Sequence, residues 1–206
     1  MKINQGKKLL KLARKSLETV FLKKELKFSQ EKKEFSKPRG VFVTLTLDGE
    51  LRGCIGFPYP IKPLAEAVAE ASRAAAFGDP RFKTLDKEEL KKIKIEISVL
   101  TMPEEIFVKG HAMADEIKIG RDGLIVQFSG FSGLLLPQVA KEQEWNSLQF
   151  LEAACTKAGL PGNSWLNPNC HVFKFQAEIF SEKGKGKREK KKKKTTKKQI
   201  KNKKKK

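Results

Sequence analysis

The sequence predicts an α/β chain of the α+β type, in which antiparallel hairpins carry packed helices. Three observations predict it. Two Asp-Gly pairs, Asp48-Gly49 and Asp122-Gly123, lie between apolar runs and supply the φ > 0 positions of tight hairpin turns. Three stretches repeat apolar residues at three- and four-residue spacing, the mark of a helix with one buried stripe. A late stretch, 171–180, alternates residue by residue, which is the period of a strand.

The elements follow in order. Leu9, Leu10, Ala13, Leu17, Val20 and Phe21, with lysines between them, predict a helix over 5–26. Residues 25–37 are polar and mostly basic and read as a surface connection with solvated lysines, ending at Pro38. Val41 to Leu47 alternates as a half-buried strand, Asp48-Gly49 turns the chain, and 51–56 returns. Pro58 and Pro60 force an irregular exit. Pro63 suits a first helical turn, and 64–76 is an alanine-rich helix with Leu64, Val68, Ala71 and Ala75 on one side. Asp79-Pro80-Arg81-Phe82 is a loop, followed by a short helix over 86–92 that Thr84 or Asp86 caps.

Ile93, Ile95, Ile97 and Val99 then define a strand, with Glu96 on the opposite face, exposed or salt-bridged. Ile117-Lys118-Ile119 and 124–128 read as a hairpin turning at Asp122-Gly123. A second turn at 129–133 leads to Leu134-Leu135-Leu136, stopped by Pro137, and this meander predicts the core of a smaller subdomain. Residues 147–158 form a helix with Cys155 on its buried face, closed by Gly159 and Pro161.

The net charge of +20 over 206 residues divides unevenly. From Lys183 to Lys206 there are 16 basic residues and one Glu, a surplus of 15, while residues 1–182 hold 28 basic against 23 acidic, a surplus of five. That tail has almost nothing apolar to bury and is expected to be disordered. Its charge fits sequence-independent, salt-sensitive binding of nucleic acid, without base stacking since aromatics are absent from it. Cys54, Cys155 and Cys170 leave an odd thiol and no CxxC pair, which argues for a reducing compartment. No apolar run approaches the ~20 residues needed to span a bilayer, so a cytoplasmic location is expected.

The block Leu51-Arg52-Gly53-Cys54-Ile55-Gly56 is the centre of the candidate chemistry. On a regular strand Arg52 and Cys54 project to one side, and glycines beside them open space, which makes a small reactive or anion-binding patch. A thiolate is the nucleophile, and a neighbouring guanidinium stabilises it. Asp79, Arg81 and Gln138 are further candidates. No GxGxxG, P-loop or HExxH occurs, so no cofactor is implied. Adjacent Cys170 and His171 point to opposite sides of a strand, and no standard spacing supports a metal site.

The same block resembles the signature of the AMMECR1 domain family. Arg39-Gly40-Val41-Phe42-Val43-Thr44-Leu45, Asp79-Pro80-Arg81-Phe82, Glu96-Ile97-Ser98-Val99-Leu100, Gly133-Leu134-Leu135-Leu136-Pro137-Gln138-Val139-Ala140 and Lys157-Ala158-Gly159-Leu160 extend the likeness over 6–182. The resemblance implies two subdomains of mostly antiparallel sheet with a cleft between them. The larger subdomain is mainly 1–102 plus late segments, and the smaller is roughly 103–145. It also implies a protein partner of the Memo-like or radical-SAM kind. The expected function is a cleft lined by Cys54 and Arg52, in an enzyme acting on nucleic acid or an anionic metabolite. The alternative is a non-catalytic adaptor that binds RNA or the ribosome through its tail and a protein through its body.

Overall fold

A computed structural model describes residues 1–182; the lysine-rich stretch expected to be disordered, 183–206, lies outside them. Strands β1 (Val41–Leu47) and β2 (Glu50–Phe57) form the first hairpin. Its two-residue turn places Asp48 at φ 53° and Gly49 at φ 98°, conformations that Asp and Gly tolerate best. Strand β3 (Lys94–Leu100) pairs with the other edge of β1. The remaining strands are β4 (Glu104–Glu105), β5 (Asp122–Phe128), β6 (Phe131–Leu135) and β7 (His171–Ser181). All pair antiparallel in the order β2-β1-β3-β7-β5-β6, with β4 also on β7.

One face of the β2-β1-β3 end is covered by α1 (Ile3–Phe21) and α3 (Leu64–Phe77). Their apolar stripes bury Leu9, Leu17 and Val68 against Val43, Leu45, Ile95 and Ile97. The remaining helices are α2 (Ser29–Glu34), α4 (Lys87–Lys92), α5 (Pro137–Glu142) and α6 (Ser147–Lys157). A second core gathers Met113, Leu124, Val126, Trp165 and Val172 around Phe150 and Leu151 of α6. Cys155 is fully buried there, as expected.

Three local expectations need correction. The first helix stops at Phe21 rather than 26, because Lys23 turns left-handed at φ 51° and the chain closes with Lys24 N–H donating to the Thr19 carbonyl at 3.0 Å. The connection at 25–37 contains α2, with Phe35 packed into the core. The hairpin assigned to Asp122-Gly123 does not form. Asp122 is buried, accepts Lys118 N–H at 2.9 Å and pairs with Arg121 at 2.7 Å, so it braces the approach to β5 instead of turning the chain. The second turn, expected at 129–133, does form, at Ser129-Gly130 with φ of 50° and 82°, and joins β5 to β6.

The glycines of the β2 block serve close packing rather than open space. A Cβ at Gly53 would fall 2.1 Å from the Ala75 carbonyl oxygen of α3, and one at Gly56 would meet the Phe42 ring at 2.6 Å. Gly53→Ala must push the helix off the strand, a penalty of about 1–3 kcal/mol for overpacking. A urea melt of this variant is expected to show a lower midpoint with unchanged slope.

Candidate functional site

Inward-facing Val43 and Leu45 are fully buried, which turns Thr44 to the opposite, open face of the sheet. Gly53 faces α3, which turns Cys54 the same way as Thr44. The pairing Thr44↔Cys54 sets them side by side, and the Thr44 Oγ1–Cys54 Sγ distance is 3.3 Å. Cys54 is half-buried.

Arg52 goes elsewhere. Register runs Thr44↔Cys54 and Leu45↔Gly53, then jumps to Thr46↔Leu51, so Arg52 is the extra residue of a β-bulge. The bulge breaks the alternation that the thiol–guanidinium patch needs. Arg52 instead makes a bidentate pair with Glu89 of α4, at 2.9 and 2.8 Å, and lies over the Phe82 ring at 5.9 Å. Its charge is answered by Glu89, whose hydrogen bond raises the Arg52 pKa further.

The guanidinium that does approach the Cys54 residue belongs to Arg81. Asp79 is buried and accepts the Cys54 N–H at 2.9 Å, a donor that the edge strand turns away from β1. Arg81 grips the same carboxylate through Nε at 2.9 Å and Nη2 at 2.7 Å, and reaches the Cys54 carbonyl at 3.4 Å. The hydrogen bond from Arg81, then those from the backbone N–H of Cys54 and Arg81, outweigh burial and hold Asp79 well below the usual carboxylate range. Asp79 and Arg81 thus fix the backbone of Cys54 and leave its sulfur to Thr44.

Beyond Thr44 the row continues. Thr44↔Glu96 and Glu96↔Ser181 place Cys54, Thr44, Glu96 and Ser181 side by side on four neighbouring strands. A depression of about 230 Å³ lies over the Thr44–Glu96–Ser181 part of it, lined also by Thr46, Lys94 and Glu182, with Cys54 just beyond Thr44. Glu96 corrects its sequence assignment: it is half-buried and has no ion-pair partner among the described residues. Burial, and secondarily the carboxylate of Glu142 on α5, raise its pKa. Gln138 stands one turn before Glu142, and its Oε1 is buried with no hydrogen-bond partner among the described residues.

Neither histidine joins this row. His171 Nδ1 is 2.7 Å from Glu105, and His111 packs edge-on to Trp165, both in the second core region. Cys155 and Cys170 are fully buried, and burial pushes the Cys155 thiol up to about 11. Among the described residues no group of three or more His, Cys, Asp or Glu side chains is placed to hold a metal ion. Thr44 and Glu96 were legible in phase, since both alternate against the buried positions of their strands. Glu89 and Glu142 carried no signal in sequence, because only the fold brings their helices to these strands.

A curled antiparallel sheet whose β2-β1-β3 end carries α1 and α3 on one face and the row of Cys54, Thr44, Glu96 and Ser181 on the other defines an α+β protein with a thiol-bearing open face. The chain belongs to the AMMECR1 family, whose profile matches residues 10–180. Protein MK0488 of Methanopyrus kandleri is 46% identical over 186 residues, which is 87% of this chain and 89% of that protein. A protein of Methanothermobacter thermautotrophicus is 46% identical over 184 residues, covering 88% of this chain and 96% of its own. The crystal structure of uncharacterized protein PH0010 from Pyrococcus horikoshii superposes with a TM-score of 0.84 at 44% identity, covering 89% of this chain and 94% of that one. Among the described residues no helix is long and apolar enough to cross a membrane.

Replacing Asp79 by Ala strands the Cys54 N–H, and an unsatisfied donor of this kind costs about 1–3 kcal/mol. Because the folded pKa of Asp79 is depressed, its contribution is present above the unfolded value of ~3.9 and is lost as pH falls below it. Denaturant melts are therefore expected to separate wild type from Asp79→Ala at neutral pH and to bring the two together in acid.

Proposed function

We propose that the open face of β2-β1-β3 is a ligand cleft in which the Cys54 sulfur is the reactive contact and the Glu96 carboxyl handles a proton. The observation that supports this most is the cross-strand row itself, with a half-buried thiol at one end and an unpaired carboxyl of raised pKa two strands away. Neighbouring strands are ~4.8 Å apart, so the two groups are about 10 Å apart at the backbone. Glu96 is too distant to take the thiol proton directly. A molecule lying across Thr44 reaches both.

The charges favour a ligand of little net charge. Arg52 is paired with Glu89 and Arg81 with Asp79, and Glu96 and Glu142 face the row with Lys94 beside them. A lone accessible thiol of this kind keeps its reduced form in the cytoplasm, which is where we place its action.

Alkylation by iodoacetamide, read by mass spectrometry on the native chain, tests the reading. Cys54 is expected to react while Cys155 and Cys170 stay protected. Glu96→Gln removes a nearby negative charge, so Cys54 is expected to react about twofold faster at pH 8, the effect of one charge at this distance in a watery setting. A native Cys54 as inert as Cys155 would overturn the cleft, and a rate indifferent to Glu96→Gln would remove the carboxyl from it.

A further inference from the structure

At the end of this sheet, α1, the end of α4, the start of β3 and the last residues of β7 enclose an open groove of about 1190 Å³, which meets the open-face depression at Lys94, Ser181 and Glu182. Lys7, Lys11 and Lys15 follow one another along α1 at four-residue steps, each step a rise of about 6 Å. Lys91, Lys92 and Lys94 come from α4 and β3. Arg14 lies between them and is consumed structurally: it pairs with Glu182 and donates to the carbonyls of Leu90 at 2.7 Å and Ile93 at 2.9 Å. Seven basic side chains therefore line the groove against Glu18 and Glu182, a surplus of five.

That surplus equals the surplus of residues 1–182 as a whole, 28 basic against 23 acidic. Outside the groove, 21 basic residues face 21 acidic ones. All the excess positive charge of the body is thus gathered in one concavity, and the chain passes from Glu182 in its lining straight into the 15 surplus charges of 183–206.

We infer that this groove binds the phosphate backbone of a nucleic acid. Charge decides the occupant. The lysine-rich stretch itself is repelled by the groove, and so is the same groove of a second copy. A concave channel with cations along its length suits an extended polyanion better than the plane of a membrane. Lysines are flexible point charges without planar readout, and the only aromatic in the lining, Phe180, is half-buried. Binding is therefore sequence-independent and salt-sensitive.

The test is fluorescence anisotropy of the full chain with a mixed-sequence single-stranded RNA, titrated between ~50 and ~200 mM salt. Lys7, Lys11, Lys92 and Lys94 replaced together by Gln are expected to weaken binding and to flatten the slope of log K against log salt by about 3, roughly 0.7 for each lost phosphate contact. The same four positions as Arg are expected to keep the wild-type slope. A control with equal charge loss at exposed positions elsewhere, Lys33, Lys37, Lys83 and Lys157 to Gln, is expected to change it much less. Equal losses in groove and control variants, an unchanged slope in the groove variant, or a loss confined to phosphatidylserine vesicles would each overturn the assignment.

Discussion

The arrangement of the whole molecule depends on one strand being shared. β7 pairs through its first half with β5 and through its second half with β3, so both hydrophobic cores are hung on a single stretch of eleven residues. Neither half can shift register alone, since a one-residue slip reverses the face of every side chain on it. The sharing also brings α5, which follows β6 in the second half of the sheet, close enough to the open face of β3 for Glu142 to act on Glu96. Burial does most to raise the pKa at that position, and the topology adds the Glu142 carboxylate to it.

A second constraint localises the thiol. An edge strand exposes backbone donors, and such donors require partners. Asp79 supplies one at Cys54, and Arg81 compensates the buried carboxylate. Together with the bulge at Arg52, this leaves the block with a fixed backbone, two guanidinium–carboxylate pairs (the Arg52 Nη1 buried without a partner among the described residues) and a sulfur turned to the open face. The two faces of this sheet end then differ in character. The open face carries Glu96 and Glu142 with Lys94 at its end, and the α1 side carries the larger share of surplus lysines.

Much of this was legible in the residues, and the failures have physical causes. The first hairpin, the alanine-rich helix with its facing stripe, and the capped helix at 147–157 are local patterns, and they appear where the spacing puts them. The resemblance on the β2 block matched the family. Asp122-Gly123 misled because an Asp-Gly pair has the same composition whether it turns a hairpin or braces a strand from inside. The bulge was invisible because it depends on which residue of β1 faces which residue of β2, and the partner that draws Arg52 away lies 37 positions along the chain. Glu96 was in the right phase and misjudged in environment, since the strand order β1-β3-β7 and the approach of Glu142 are tertiary facts.

The proposed cleft joins the Cys54 sulfur to the Glu96 carboxyl. The most direct measurement is a carbon-13 NMR titration of the Glu96 side-chain carboxyl in the full chain, before and after capping Cys54 as a methyl disulfide. The account predicts a midpoint above the ~4.3 of an ordinary glutamate and a further displacement once the sulfur is capped. An ordinary midpoint that ignores the cap would contradict it.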